Sequence, residues 1–548
     1  MYKKTSLQPS FPNFLLPFEG ELKSSNPWIV MAELIPWDEL EAQYAEQFHA
    51  SLGAPAKSLR LALGALLAKE RLHCSDSELV EHFEENPYLQ YFLGLETFHK
   101  DCPFDDSSLT NFRKYLGEEV VNQVNETVIA KLERLRANQQ QEDQPEPPNT
   151  GSGCQDQSMP EMVSEEEPRE EESRNIAEKE IPSEEDSEPT PAGKLVVDAT
   201  CAPADIAYPV DVRLLHRARL QSEALIDELH AQRPSGSLKP RTYREKLQHK
   251  WRVFIKIRKP SRSKIRAMHK ILLMGLQRNI RHIDRLLDEL GVGSLKNKSL
   301  RRMWILREFF CQQMEWFESG QSPPSRIVSL AQPHIRPIFR GKANASYEFG
   351  AKISLSVENG FVMVHASRFE NFNESGDLID QIHEYRRRKG HWPESVHADQ
   401  IYRTRKNREF CKRHGIRLSG QPLGRPPRDE ARNKEQQAQA KRDLGERNIV
   451  EGKIGQAKRR FSLARVLTRL PQTSKTTVSL VFLVINLEKA LALGLGPFYF
   501  LFFFLISKFK DRKILLGSLP VGISAGFLGW FSGLLPKSTQ SLEPALSA

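Results

Sequence analysis

Three acids far apart in the chain, Asp198, Asp399 and Glu451, stand where a carboxylate needs a reason. Asp198 follows the apolar, β-branched run of "GKLVVDATCAPADIAYPVD", and Asp399 closes "ESVHAD". A carboxylate at either place is costly to bury without a partner. Glu451 lies in "ERNIVEGKIGQAKRRFS", among Arg447, Lys453, Lys458, Arg459 and Arg460. Carboxylate oxygens are the ligands that hard divalent ions prefer. A pair of such ions about 4 Å apart can serve both the attacking and the leaving oxygen in phosphoryl transfer. Arg447, Glu451 and Lys458 are spaced to share one helical face, so that the acid would hold metal while the cations hold phosphates. The alternative for Glu451 is an i, i+4 ion-pair partner on a solvated surface, and this segment alone favours that reading.

The pattern around these residues predicts the elements that must position them. Lys194–Val197 reads as a short buried strand delivering Asp198 at its end. Two alternating runs in "YEFGAKISLSVENGFVMVHASRFEN" meet at Asn359-Gly360, the strongest short hairpin signal. "ESVHAD" is a further strand, "RTRKNREFCKRHG" a helix and "IRLSG" a strand; the polar basic stretch from Gln421 to Arg442 then leads into the helix of Glu451. Asp198 and Asp399 would converge at one edge of a sheet, and a helix crossing that edge would bring Glu451 to them. Between the first strand and the hairpin, Val212 to Phe317 is helical and very basic.

Upstream, Trp28 to Ala137 reads as a compact helical module. Ser75 and Glu78 are placed as a capping box, and Gly117 is placed to stop a helix. Its basic final helix suits a helix-turn-helix reader of DNA; a bundle that only packs or dimerises is the alternative. Asn138 to Gly193, rich in Glu, Ser, Pro and Gln, lacks the apolar surface to offset the entropy of ordering and reads as an acidic disordered linker.

The 548 residues allow two to four domains. The formal charge of +9 is strongly segregated: Gln141 to Ala192 holds 17 acidic against 3 basic residues, which leaves +23 on the remainder. Such an excess points to a polyanionic partner, nucleic acid first and an acidic membrane surface second. The six cysteines form no C-x-x-C pair, which argues against a zinc finger or a disulfide framework and fits a reducing cytosol. The first residues lack an apolar core long enough for a secretory signal, so no export is expected.

"RNIVEGKIGQAK" matches R-x3-E-x6-K through Arg447, Glu451 and Lys458. With "LVVDATCAPADIAYP", "QPHIRPIFRGKA", "EFGAKIS" and "SVHADQIYRTRKNREFCKRHGIRLSGQPLGRPP", it resembles the bacterial insertion-sequence DDE transposases, specifically the insertion-sequence-five superfamily. The likeness spans about residues 28 to 490. It implies an α/β fold with an RNase H-like catalytic core, a helical insertion at about 212–320, and a preceding all-α N-terminal domain. It implies Asp198, Asp399 and Glu451 as a catalytic triad binding two Mg²⁺ ions, with Mn²⁺ able to substitute. Arg447 and Lys458 would contact DNA phosphates or a distorted base near the cut. Implied partners are double-stranded DNA, as element ends and as target, and further copies of the chain in a dimer or larger assembly; the implied place is the bacterial cytoplasm, at the nucleoid. The family has Tyr three residues before the Arg, where this chain has Leu444. A catalytically degenerate DNA-binding regulator and an RNase H-fold nuclease or resolvase are the competing readings.

The domains expected are thus a tail (1–27), a DNA-binding helical domain (28–137), the linker (138–193), the catalytic domain (194–490) and an apolar C-terminal extension (491–548). Ala490–Ser507 and Ile514–Pro536 are uncharged and long enough for a membrane span. Gly494, Gly496 and Pro497 interrupt the first, and packing on the core or at an oligomer interface is expected instead. Asp205, seven residues past Asp198, is expected to be structural. Asn371, Asn373 and Glu374 are expected to start a helix, and His365 and His397 to be satisfied within the sheet.

Overall fold

The computed structural model describes residues 20–46, 56–142, 190–342, 345–420 and 429–494, with Leu16 and Phe48. Most of the expected linker and C-terminal extension lies outside the described residues.

The N-terminal module is built of α1 (Pro27–Leu34), α2 (Trp37–Ala45), α3 (Leu59–Leu72), α4 (Asp76–Glu85), α5 (Pro87–Phe92) and α6 (Asp106–Glu142). Local chemistry sets several starts. Asn26, Ser58 and Asn86 accept hydrogen bonds from the first free N–H groups, and Ser75 with Glu78 forms the expected capping box. Gly117 takes φ 64° and ψ 175°, yet the helix resumes after it, so the expected stop is a kink inside α6. Beyond the kink Val121, Val124, Val128 and Leu132 restore an apolar stripe that is buried. The second half of this helix therefore packs one face against the core of the molecule.

β1 (Lys194–Pro203) leads into a helical insertion of α7 (Asp211–His230), α8 (Arg244–Ile255), α9 (Arg262–Leu290) and α10 (Asn297–Ser319). The insertion has its own core, in which Leu215, Leu225, Leu272, Leu276 and Phe309 are buried. Within it Arg219 is fully buried and donates to Glu223 (2.7 Å) and Gln248 (2.9 Å), which satisfies a charge that would otherwise be expensive. Then follow β2 (Arg336–Lys342), β3 (Ala345–Glu358), β4 (Phe361–Arg368), α11 (Leu378–Lys389), β5 (Ser395–His397), α12 (Arg405–Arg413), β6 (Arg417–Leu418), α13 (Glu430–Arg460) and α14 (Pro471–Ala492).

The six strands form one mixed sheet in the order β2-β3-β1-β5-β6, with β4 also on β3. β1, β2 and β4 each pair antiparallel to β3, while β5 runs parallel to both β1 and β6. The β3–β4 turn falls at Asn359 and Gly360, both at positive φ (50° and 77°), as a type I′ hairpin requires. β1 does not stop at Val197: nine successive pairs with β3 carry it to Pro203, and Asp198 therefore lies in the middle of the strand.

The alternation along β1 assigns its two faces. Leu195 and Val197 pack with Leu378, Ile382 and Tyr385 of α11. Val196 and Ala202 share the opposite core with Ile353 and Leu355 of β3 and with Val450 and Ala457 of α13. That second core continues through α14 into the N-terminal helices. α14 is buried along most of its length, between α6 and α3 on one side and β4 on the other. Asn486 on it pins the contact. Its amide accepts from Val362 N (2.8 Å) and donates to Val362 O (2.8 Å) and Asn125 Oδ1 (2.8 Å), supplying the pairing that a further strand would give the β4 edge. Among the described residues no helix is long and apolar enough to cross a membrane. The two uncharged runs fall, from residue 495 on, outside the described residues.

Candidate active site

The last parallel pair between β1 and β5 is Val196 with His397. Two residues further along each strand come Asp198 and Asp399, so the register carries the two acids to the same level on neighbouring strands. Asp198 shares its face with Val196 and Ala202, the face covered by α13. Asp399 leaves β5 and caps the 3-10 turn Gln400–Tyr402, accepting from Gln400 N at 2.7 Å.

α13 brings the third acid. Arg447 donates from Nη1 to Asp399 Oδ1 (3.0 Å) and from Nη2 to Glu451 Oε1 (2.8 Å), so one guanidinium joins the acid after β5 to the acid on the helix. The helix is held in place one turn earlier. Asp443 is buried there and accepts from Arg417 Nη1 (2.9 Å) and Gln439 Nε2 (2.9 Å). Burial pushes this carboxyl up, but those two hydrogen bonds hold it below the usual carboxylate range. Glu446 adds an ion pair to Lys194 at the start of β1 (2.7 Å). Leu444, at the position where the resembled family has Tyr, is 56% exposed. Lys458 stands half-buried two turns beyond Glu451.

The electrostatics centre on Asp198. Burial pushes its carboxyl up to about 6. The Ala199 N–H (2.8 Å) and the Arg447 charge oppose that rise, while the nearby acids Glu374 and Asp399 add to it. A half-desolvated carboxylate beside two other acids is a place that favours a cation. In this structure the neighbouring cation is Arg447, and among the described residues no three His, Cys, Asp or Glu side chains stand close enough together to hold a metal ion. Two of the three predicted acids are thus bonded to one guanidinium, and Asp198 lies near enough to feel its charge. Carboxylates are the ligands a hard divalent ion prefers, but as placed here the three acids do not form one ligand set.

Two neighbours of Asp198 were not expected at the site. Glu374 sits in a 3-10 turn behind Asn373, which caps it as expected, and pairs with Lys352 (2.6 Å). Tyr402 is fully buried, and burial raises its phenol strongly, with the charges of Glu374, Asp198, Asp377 and Asp399 adding to the rise. Its hydroxyl makes no hydrogen bond within the protein. In sequence Glu374 reads only as a helix start, and Tyr402 as one aromatic among basic residues.

Other candidates take structural roles. Asp205 accepts from exposed Arg465 (2.5 Å). His365 meets Ser356 (2.7 Å), and His397 meets Ser395 (3.0 Å), with Asp443 3.7 Å away. A cavity of about 370 Å³ is lined by residues such as Asn122, Glu126, His365 and Arg388, where α6 meets β4 and α11; in the sheet β3 lies between β4 and the strand that carries Asp198.

Residues 396–488, which hold Asp399, Arg447, Glu451 and Lys458, match the family described as Transposase DDE domain. Residues 17–115 match the family described as Transposase domain (DUF772). The two matched segments support a transposase, and with it a DNA substrate. Over 89 residues the chain is 37% identical to the uncharacterized protein ORF8 in the nfe locus of Rhizobium meliloti, a stretch covering 16% of this chain and 42% of that protein. No solved structure matches.

Proposed function

We propose that this chain, which carries two transposase segments, binds the terminal inverted repeats of an insertion sequence and catalyses metal-dependent DNA strand cleavage and strand transfer. The observation that carries this reading is the convergence of Asp198, Asp399 and Glu451 around Arg447, from two adjacent strands and one crossing helix. The strand arrangement supports an RNase H-like core. β1, β3 and β4 form an antiparallel meander, β5 and β6 join it in parallel, and an acid stands at the same level on β1 and beyond β5.

Asp198, Asp399 and Glu451 would hold two Mg²⁺ ions, or Mn²⁺ in their place. When bound, such ions supply charge neutralisation of the phosphodiester and activation of the attacking oxygen. The chain's own residues do the rest. Arg447 and Lys458 engage phosphates along the strand to be cut, and α13 fixes Glu451 against the sheet through Asp443 and Glu446. Water attacks the phosphodiester at each element end, leaving a 3′-hydroxyl that attacks target DNA in turn. Two ends must be joined together, which calls for a dimer or larger assembly working at the bacterial nucleoid.

Exposed Leu444 favours a second reading, a DNA-binding regulator with a degenerate site. The test is incubation of the purified chain with DNA carrying the inverted repeats that flank its gene, in Mg²⁺ and in EDTA. Nicks at the repeat ends and joined products in Mg²⁺ alone are expected. Tight binding without nicking would favour the regulator, and cutting of branched DNA without end specificity would favour a resolvase.

A further inference from the structure

Beyond the acids, the sheet carries an aromatic strip that no step of the proposed reaction uses. Asp198 pairs with Leu355 of β3, and directly opposed residues of an antiparallel pair share a face. Tyr347 and Phe349 lie an even number of residues back along the same strand and so share that face. β3 keeps regular register with β1 throughout; its irregularity with β4 arises from an extra residue on β4. Eight residues of antiparallel strand place Tyr347 about 27 Å beyond the level of Asp198.

At that end the rings are open. Phe339 of β2 is 60% exposed and Tyr347 is 49% exposed, and they meet edge to face with centroids 5.6 Å apart. Tyr208, 72% exposed, continues the strip by an edge contact with Phe349 (5.7 Å). Large exposed aromatics in a group are a cost to a soluble surface unless something covers them.

The neighbouring chain says what that is. Ala204 N donates to Phe349 O (2.8 Å), and Ala204 bridges to Val466 on its other side, so the segment after α13 runs alongside the strip. From Gly452 to Leu487 that stretch holds seven Lys and Arg and no Asp or Glu. Arg465, Leu467 and Arg469 are exposed on it, although Arg465 also pairs with Asp205. A two-fold copy docking here would set this basic segment against itself. A polyanion whose bases are free to stack matches both features, since aromatic platforms beside a positive track are how single strands are held. A paired duplex hides its ring faces and gains nothing from such a strip.

We propose that Phe339 and Tyr347, continued by Phe349 and Tyr208, form a stacking platform for unpaired nucleobases of the DNA strand leaving the acidic centre. This rests on the transposase reading and deepens it: the strand would run unpaired from the cut to the strip, and its bases would be held there on β2 and β3.

The test uses the full chain in EDTA, so that binding is read without cutting, with single-stranded oligo-dT and a duplex of matched length as probes. Phe339→Ala and Tyr347→Ala are each expected to weaken single-strand binding about 10-fold and to change duplex binding by less than about 2-fold. Tyr347→Phe keeps the ring and should restore binding, and Tyr347→Trp should show fluorescence quenched by oligo-dT. Because both side chains are exposed, circular dichroism should be unchanged. Equal losses on the two probes, no loss on the single strand, or an altered sedimentation of the DNA-free variants would overturn the platform, the last assigning the face to a second copy. Asp198→Ala should bind oligo-dT normally. Loss of cleavage in that variant, alongside strip variants that keep single-strand affinity, would leave the transposase reading standing without the platform. A wild-type chain that binds neither probe would remove both.

Discussion

Arg447 is the residue on which the site turns. It holds Asp399 and Glu451 with a single positive charge, so a divalent ion entering between these acids meets a cation already in place. Arg447→Gln should therefore bind Mn²⁺ about 10-fold more tightly, as read by electron paramagnetic resonance, while the proposed role of Arg447 at phosphate predicts a fall in cleavage. The neighbouring departure runs the other way. Leu444 is an exposed aliphatic where the resembled family has Tyr, and Leu444→Tyr should raise cleavage with little change in thermal stability. That Asp399, Arg447 and Glu451 come together was legible from spacing and motif. Glu374 and Tyr402 were not, because their closeness to Asp198 comes from the path of the chain between β4 and α12 and leaves no periodic trace.

At the scale of elements, α13 links the chemistry to the fold. Val450 and Ala457 face the sheet, and Gly455 lies off that buried face. A Cβ at Gly455 would meet only the flexible Arg459 guanidinium, at 3.3 Å, so packing within the chain does not require glycine there. Glycine inside a helix costs about 1 kcal/mol relative to alanine. Gly455→Ala should accordingly raise the melting temperature slightly. A concurrent loss of DNA cleavage would mark the bare backbone as a place of close DNA approach, whereas full activity would show that nothing needs the space. The Asn359-Gly360 hairpin and the Ser75 cap could be read from residue types, because both depend on neighbours in sequence. The length of β1 could not, since its pairing with β3 spans the whole helical insertion and its continuation past Asp198 depends on that distant partner.

At the scale of the molecule, the N-terminal helices and the six-stranded sheet share one apolar core through α14. Asn486 is buried at its centre, bonded to both parts, so Asn486→Ala would leave Val362 and Asn125 with unmet hydrogen bonds. A loss of about 2–4 kcal/mol is expected in urea denaturation, with both parts unfolding together. The same bundle carries a pH dependence. Burial raises the Glu33 carboxyl to about 7, partly offset by the Lys131 charge, and its Oε2 has no hydrogen-bond partner. Because the folded value lies above the ordinary 4.5, this group's contribution is full below about pH 4.5 and is lost as pH rises through 7. Glu33→Gln should leave stability at pH 4 nearly unchanged and raise it at pH 8. The sequence indicated a helical module and an α/β domain, but α14, buried along most of its length, shows its two partners only once both are folded.

The most direct measurement of the central claim is cleavage of DNA carrying the element's ends, in Mg²⁺, by Asp198→Ala, Asp399→Ala and Glu451→Ala, with end binding measured beside it. Each variant is expected to bind the ends nearly as the wild type does and to lose on the order of 10³-fold or more in cleavage. Wild-type cleavage by any one of the three would contradict a centre built from these acids.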